Sequence, residues 1–345
     1  MTSPNPRRMT QRRIAELAGV SQAAVSLVLS GRTDTTTRLS EETRNRVLDV
    51  IRDTSYAADP AARMLAGKSN NILGVFTYES AFPAESSDFY APLLAGVEAA
   101  AEELGTDLLM FTSARSAEGP RKLLREGSRL RVADGCVLLG RQMDGAELAR
   151  LVEMEYPFVA VGRRDGDERI PYVGADYATA VTDLVFRAVA LGHERFFYLR
   201  LPFEAESTRD RRDAFSSAIE RCDVHAVIET ADDNDVHAYW RRIVNAQSTV
   251  VFIESPDHAE RFSATVEELG VSVPRDISVV TLGEHARPRS MGRAITRLVA
   301  PRREMGTEAV RLLFRIMTGN AGARETTRVL LPCAIADGDS LASAR

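Results

Sequence analysis

From residue 71 onward, short apolar segments alternate with amphipathic segments of helical period, and this alternation limits the possible folds more than any other feature of the chain. Eight segments have the length and composition of strands: Ile72–Phe76, Asp107–Phe111, Gly135–Leu139, Phe158–Val161, Arg195–Leu199, Ala226–Glu229, Val250–Ile253 and Ile277–Val280. Helical patterns lie between them, as at Pro92–Leu104, Ala178–Leu191 and Ser207–Arg221. Such alternation is typical of parallel sheets covered on both faces. Eight strands suit two lobes better than one sheet, so we expect a two-lobed α/β domain over residues 71–345.

The positions that follow these strands are candidates for a binding cleft. Ligands of open parallel sheets bind beyond the carboxyl ends of the strands. The rule selects the following cleft candidates: Tyr78, Thr112, Arg163, Glu254, Ser255 and Glu284.

The first 58 residues have a different pattern, with three short helices. Two of them have one apolar face each, formed by Ile14, Leu17 and Ala18 and by Val25, Val28 and Leu29. Between them, Gly19 is suited to end the first helix in a left-handed conformation and Ser21 to cap the second. A third helix is predicted after Ser40, packed on the others through Val47, Leu48 and Ile51. Two short helices joined by a three-residue turn form a helix-turn-helix.

A short segment with its own start and stop signals follows this unit. Asp59 is a capping residue, Pro60 suits the first helical position and Gly67 suits the end. So short a helix is marginal in water and needs a partner to stay folded. We therefore predict a hinge helix and linker over residues 59–70, between an all-α headpiece over residues 1–58 and the α/β domain.

Charge is distributed unevenly along the chain, which has 44 Lys+Arg and 49 Asp+Glu residues. Residues 1–68 carry a net charge of +4, and the rest carry −9. A basic unit beside an acidic one suits binding to the phosphate backbone of DNA, although solvated surface charge can produce the same distribution.

Several classes of protein are disfavoured by what the sequence lacks. No apolar stretch reaches the roughly 18 residues of a membrane helix, and the first residues lack a secretory signal, so we expect a cytoplasmic protein without membrane contact. Cys136, Cys222 and Cys333 are far apart and are expected to be buried free thiols. The histidines have no metal-ligand spacing, and no nucleotide-binding or nucleophile motif occurs. We therefore expect neither a metal, nor a cofactor, nor catalysis.

The segment from Thr10 to Gly31, TQRRIAELAGVSQAAVSLVLSG, resembles the headpiece of the LacI/GalR family of bacterial transcriptional repressors. Weaker similarities follow in order at 44–56, 62–65, 96–105, 190–193, 269–280 and 330–332. The resemblance implies a homodimer that binds a near-palindromic operator in double-stranded DNA. It also implies an effector domain like a periplasmic binding protein, whose lobes hinge around a small molecule.

The resemblance places the DNA contacts on the headpiece and the hinge. The expected DNA-binding residues are Thr10, Arg12, Ser21, Gln22, Ala23, Ser26, Leu27, Arg32, Ala62 and Leu65. Gln22 can bond adenine, Ala23 can touch a thymine methyl group, and Leu65 matches the family's minor-groove wedge. Leu27 stands where many members have Arg, which predicts a changed base preference. The alternatives are a solvated face for the polar residues and a leucine packed on the effector domain for Leu65.

The strand-end rule and the resemblance together predict effector contacts in the cleft. The expected effector-binding residues are Phe89, Arg163, Asp176, Arg211, Glu254 and Glu284. Arg211 matches the family's ligand-binding arginine by position, with a structural ion pair as its alternative. Glu254-Ser255 and Thr281–Glu284 replace the Asn and Asp residues that usually bind sugar hydroxyls, which makes an ordinary sugar doubtful. A non-sugar effector, a protein co-repressor and the absence of any effector remain open.

Two other functions compete with transcriptional regulation. A cytoplasmic solute-binding module without specific DNA binding would explain the α/β domain but not the headpiece. An enzyme on a doubly wound sheet would need a set of reactive residues, and the sequence offers none.

Overall fold

The computed structural model describes residues 9–30, 39–54, 69–82, 84–112, 121–231, 235–285, 294–319 and 327–344. The chain separates into two compact units, residues 1–70 and residues 71–345. The predicted hinge helix falls on residues outside the described ranges.

The first unit contains three helices: α1 (Gln11–Ala18), α2 (Gln22–Ser30) and α3 (Glu41–Asp53). Gly19 adopts the left-handed conformation (φ 66°, ψ 38°) that ends α1. The Ser21 hydroxyl accepts a hydrogen bond from the amide of Ala24 at 3.2 Å and so caps α2. The predicted helix-turn-helix is confirmed, including the roles of its turn residues.

The core of this unit differs from the prediction at two positions. Ile14, Ala18, Val25 and Val47 are buried, as expected. Leu17 and Leu48, however, are 48% and 40% exposed, so their predicted packing is wrong. The inner face of α1 is formed by Ile14, Ala15 and Ala18, at positions i, i+1 and i+4. The inner face of α3 is formed by Val47, Val50 and Ile51, at positions i, i+3 and i+4.

The second unit is a two-lobed α/β domain. Its helices are α4 (Ala84–Glu103), α5 (Gly145–Glu153), α6 (Tyr177–Ala190), α7 (Glu206–Cys222), α8 (Val236–Asn245), α9 (Pro256–Glu268) and α10 (Arg302–Thr318). Its strands are β1 (Ile72–Thr77), β2 (Asp107–Phe111), β3 (Gly135–Leu139), β4 (Phe158–Val161), β5 (Tyr172–Asp176), β6 (Arg195–Arg200), β7 (His225–Thr230), β8 (Val250–Ile253), β9 (Ser278–Thr281), β10 (Thr296–Val299), β11 (Arg328–Pro332) and β12 (Ala334–Ala336). One helical turn of 3₁₀ type, Leu130–Val132, precedes β3.

Each lobe is built on one six-stranded sheet. The first lobe has the strand order β11-β5-β4-β3-β1-β2, and the second lobe has the order β12-β10-β9-β8-β6-β7. All neighbours are parallel except β10 and β12, which are antiparallel. The central strands β3, β4, β8 and β9 are buried throughout, as expected for sheets covered on both faces.

The chain passes between the lobes at three places. α6 connects β5 to β6, α10 connects β10 to β11, and Cys333 alone separates β11 from β12. Cys136 is buried, whereas Cys222 and Cys333 are half-buried, so the expectation of buried thiols is correct only for Cys136. Within the described ranges, none of the helices combines the length and apolar character that crossing a membrane requires.

Two glycines allow α4 and α10 to pack closely in the first lobe. A Cβ atom at Gly96 of α4 would clash with the carbonyl oxygen of Arg303, and one at Gly306 of α10 would clash with that of Leu93. Side chains larger than hydrogen would force the helices apart. This close contact brings together the side chains that α4 and the first turn of α10 direct toward the cleft.

Candidate functional site

A cavity of about 280 Å³ lies where the two lobes of the second unit face each other. Its walls include Arg141 and Arg163, which follow β3 and β4 of the first lobe. From the second lobe they include Glu254 and Glu284, which follow β8 and β9. The cavity therefore occupies the carboxyl ends of both sheets, where open α/β folds bind ligands.

The structure brings together most of the residues predicted for the cleft. Those that line the cavity are Phe89, Arg163, Arg211, Glu254, Ser255 and Glu284. Asp176 is not one of them, because its carboxylate accepts hydrogen bonds from the amide (3.1 Å) and the hydroxyl (2.7 Å) of Thr179 and caps α6. Tyr78 and Thr112 also lie outside the lining. The hydroxyl of Tyr78 is buried and donates to Glu147 at 2.8 Å.

Arg211 is anchored deep in the second lobe and is only 9% exposed. Its Nε donates to the carbonyl of Ser207 at 3.0 Å, and its Nη1 donates to the carbonyl of Leu282 at 2.9 Å. The guanidinium lies 4.9 Å from the centre of the Tyr177 ring. Burial lowers the pKa of Arg211, but nearby negative charge, above all at Glu254, raises it to a net value above the usual one. Arg211 is therefore a fixed cation in the cleft wall.

Glu254 is 2% exposed, and internal donors hold both of its oxygens. Oε1 accepts from the hydroxyl of Tyr198 and Oε2 accepts from the amide of Leu201, each at 2.7 Å. A buried carboxylate needs such donors, since an uncompensated charge is costly there. In this structure Glu254 shapes the cleft by holding the loop after β6.

A group of ion pairs joins the two lobes at the cleft. Arg163 of the first lobe binds Asp210 of α7, with Nη2 2.7 Å from Oδ1. Its neighbour Arg164 donates to Glu206 at 3.0 Å, and Arg209 donates to Asp165 at 2.7 Å. Of these residues the sequence analysis selected only Arg163. Arg164 and Asp165 follow the same strand and were overlooked, whereas Glu206, Arg209 and Asp210 lie on the facing helix α7, which a rule based on strand ends does not cover.

Arg141 and Arg302 are two further cleft residues that sequence reasoning missed. The guanidinium carbons of Arg141 and Arg302 lie 5.0 and 5.8 Å from the centre of the Phe89 ring. Arg141 comes two residues after the predicted strand β3, so the rule that selected Arg163 could have found it. Arg302 follows β10, a strand that the apolar pattern did not reveal.

Glu284 lies near this basic group. Its Oε1 is 3.8 Å from Nη1 of Arg302, which is longer than a hydrogen bond. Burial raises the pKa of Glu284, against the opposing effects of Arg302 and Arg297. The carboxylate thus balances only part of the positive charge around Phe89.

The first unit presents polar side chains at the start of α2. Ser21, Gln22 and Ala23 are exposed there, while Ala24 and Val25 are buried. Ser26 and Leu27 are half-buried in the following turn. Arg32, Ala62 and Leu65 lie outside the described residues.

The two predicted contacts of α1 are also at the surface. Thr10 is exposed, and its hydroxyl accepts from the amide of Arg13 at 3.2 Å, which caps α1. Arg12 is exposed and lies 3.4 Å from Glu16, which also pairs with Arg13 at 2.8 Å. Exposed ion pairs of this kind are weak, so the arginines are available to phosphates. Among the described residues, no group of three or more His, Cys, Asp or Glu side chains could hold a metal ion.

Sequence comparison identifies the protein families that both units match. Residues 11–59 match the family described as bacterial regulatory proteins, lacI family. Residues 80–245 match the periplasmic binding proteins and sugar binding domain of the LacI family, and residues 186–341 match a periplasmic binding protein-like domain. The chain belongs to the LacI family. It is therefore a DNA-binding transcriptional regulator and not an enzyme, as predicted.

Several known LacI-family proteins are similar to this regulator over nearly their whole length. The regulator CelR of Thermobifida fusca is 27% identical over 341 residues, which cover 94% of this chain and 96% of that protein. Catabolite control protein A of Priestia megaterium is 25% identical over 328 residues, which cover 92% and 95%. The structure of the lac repressor dimer bound to operator and the anti-inducer ONPF matches with a TM-score of 0.74 at 21% identity, covering 98% of this chain and 100% of that one. This likeness confirms the predicted fold.

Proposed function

We propose that this LacI-family regulator binds a near-palindromic operator as a homodimer, acts as a repressor, and changes its operator affinity when a small molecule occupies the cleft. The observation that carries the proposal is the exposure of Ser21, Gln22 and Ala23 at the start of α2, opposite the buried Val25. In a helix-turn-helix, side chains near the start of the second helix reach base edges in the major groove.

Each exposed residue at this position suits a distinct contact. The Gln22 amide can bond N6 and N7 of adenine, and the Ala23 methyl group can touch that of thymine. Leu27 cannot form the paired hydrogen bonds that an arginine makes with guanine, so its base pair is read by apolar contact or by DNA shape. Thr10 and Arg12, together with Arg13, are placed to contact phosphates and contribute salt-dependent affinity.

The remaining headpiece and hinge assignments belong to the same proposal. Residues 1–58 form the headpiece, residues 59–70 form the hinge and residues 71–345 form the effector and dimerisation domain. Arg32 and Ala62 contact DNA, and Leu65 inserts into the minor groove. A protein that binds operators acts in the cytoplasm, on the nucleoid.

In the cleft, the predicted effector residues divide into two groups. Phe89, Arg211 and Glu284 face the cavity with groups that can contact a ligand. Arg163, Glu254 and Asp176 use their charged groups in internal hydrogen bonds, and they position the cleft walls. A ligand that favours one arrangement of the lobes then shifts the population toward it, and a coupling of about 1–3 kcal/mol changes operator affinity about 5- to 150-fold.

The DNA-binding proposal is tested by selecting bound fragments from random double-stranded DNA with the purified full chain. We expect a palindromic consensus. Gln22→Ala should weaken binding to the selected site by roughly tenfold and relax preference at one base pair in each half-site. Arg52→Ala is the control, because Arg52 is exposed in the last turn of α3 and lies outside the proposed contacts. Binding with a salt dependence but without a consensus would contradict sequence-specific recognition.

A further inference from the structure

The cleft contains five arginines, and three of them are already occupied by the protein. Arg163 is held by Asp210 and Arg211 by two backbone carbonyls. Arg164 is buried, and it donates to Glu206 and to the carbonyl oxygens of Gly140 and Val161. These guanidiniums stabilise the lobes. Arg163 and Arg164 have few donors left for a ligand, whereas the two bonds of Arg211 do not use its Nη2.

Arg141 and Arg302 differ from this group. Among the described residues, Arg141 forms neither a hydrogen bond nor an ion pair through its side chain, and its close contact is the Phe89 ring. Arg302 lies over the same ring, and its carboxylate neighbour, Glu284, is 3.8 Å away. The two cations are close enough to repel each other: burial lowers the pKa of Arg141 and so does the charge of Arg302, against the opposing effect of the Glu79 carboxylate.

The surroundings strengthen this positive charge. Arg302 is the first residue of α10, a helix of 17 residues whose N-cap, Pro301, provides no side-chain hydrogen bond to the first turn. A helix N-terminus carries partial positive charge and favours anions. The close packing of α4 and α10, with Gly96 against the Arg303 carbonyl and Gly306 against the Leu93 carbonyl, fixes this end of α10 beside Phe89 on α4.

From this arrangement we infer that the effector carries an anionic group, a phosphate or a carboxylate, bound between Arg141 and Arg302 at the edge of the Phe89 ring. The inference rests on the proposed function, because it names the class of ligand for the same cleft. Guanidinium groups bind both kinds of oxyanion through paired hydrogen bonds, and an anion here relieves the repulsion between the two arginines. The less polar part of the ligand then lies against Tyr177 and Met305, which also line the cavity.

Inorganic phosphate is the probe that tests the shared chemistry without knowledge of the natural effector. Thermal unfolding of the full chain is followed over increasing orthophosphate at constant ionic strength, with chloride as the reference anion. We expect a saturable rise in Tm for the wild type. In Arg141→Gln and Arg302→Gln we expect the apparent phosphate affinity to fall by roughly tenfold or more, since each variant removes charge-assisted hydrogen bonds.

Arg221→Gln provides the matched control. Arg221 is exposed and lies 5.0 Å from the Phe186 ring, the same stacking distance as Arg141 on Phe89, but it lies outside the cavity lining. Its phosphate response should equal that of the wild type. The inference is overturned if phosphate does not raise the Tm of the wild type, or if Arg141→Gln and Arg302→Gln both keep the wild-type response.

Two further measurements identify the anionic group and distinguish a failure of this inference from a failure of the proposed function. A hexose phosphate, a hexuronate and the neutral hexose are compared in the same assay; stronger binding of the phosphate or of the carboxylate identifies the group, and equal binding of the neutral sugar counts against both. Operator binding by the cleft variants is measured without ligand. Wild-type protein that binds the operator but shows no anion response refutes the inference about the ligand alone, whereas absence of specific DNA binding by the wild type refutes the proposed function.

Discussion

Arg163 and Asp210 form a bidentate ion pair across the cleft, with Nε of Arg163 2.8 Å from Oδ2 of Asp210 and Nη2 of Arg163 2.7 Å from Oδ1. Arg163 follows β4 of the first lobe, and Asp210 lies on α7 of the second. Their side chains are 24% and 20% exposed, so the pair is partly shielded from solvent. The hydrogen bonds that Arg163 donates to Asp210 raise the pKa of Arg163. The pair therefore links the two lobes across the cleft.

A double-mutant cycle should reveal that link. We expect Arg163→Gln and Asp210→Asn to show a coupling of about 1–2 kcal/mol in urea unfolding of the full chain, because two parallel charged hydrogen bonds form in a partly buried setting. The control cycle uses Arg187→Gln and Asp337→Asn, whose side chains are 48% and 83% exposed and should couple by less than about 1 kcal/mol. Equal coupling in both cycles would show that the interlobe pair has no special role.

Glu254 and Tyr198 provide a second prediction, inside one lobe. Burial raises the pKa of Tyr198, so its hydroxyl stays protonated and donates to Glu254. Tyr198→Phe leaves the buried carboxylate with one donor fewer and should lower the free energy of unfolding by about 1–3 kcal/mol, measured in urea. The control is Tyr172→Phe: this tyrosine is also buried, and among the described residues its hydroxyl forms no hydrogen bond. A similar loss in both variants would assign the effect to packing.

Most of the architecture could be predicted from the sequence. Each of the eight predicted strands exists. The helices predicted within the described residues begin or end within a residue or two of the observed ones, except that α4 starts eight residues before Pro92. Apolar runs of four to six residues are strong signals because central strands of parallel sheets are buried on both faces. The missed strands β5, β10, β11 and β12 lie toward the sides of the sheets or contain polar residues, as Thr296 and Arg297 do in β10.

The site could be predicted less well, because a strand end indicates where a side chain lies but not what it binds. Arg163 and Glu254 were both placed correctly in the cleft lining, yet their charges are engaged by Asp210 and Tyr198. Those partners come from helix α7 and strand β6, at sequence distances that no local pattern connects. Arg302 was missed for a related reason: its strand is short and half polar, and its position beside Phe89 depends on the packing of two helices.

His193 gives the second lobe a predictable dependence on pH. It is 2% exposed, and its Nε2 lies 2.9 Å from the carbonyl of Ala342 while its Nδ1 lies 2.7 Å from the hydroxyl of Thr249. A carbonyl oxygen can only accept, so Nε2 carries the proton and Nδ1 accepts from Thr249. Burial lowers the pKa of His193, and the folded protein therefore favours the neutral ring.

The direction of the pH effect follows from linkage. The unfolded chain binds the proton near pH 6.5, whereas the folded chain resists it, so this contribution to stability is complete above about pH 6.5 and is lost as the pH falls toward the lower folded pKa. Burial also lowers the pKa of His258, which adds to the loss. We expect the free energy of unfolding to decrease from pH 7.5 to pH 5.5, and His193→Gln to reduce that decrease while lowering stability at pH 7.5. His225→Gln, at an exposed position on β7, should keep the wild-type slope. If His193→Gln keeps that slope as well, the pH dependence arises elsewhere and His193 serves only to hold the C-terminal segment at Ala342.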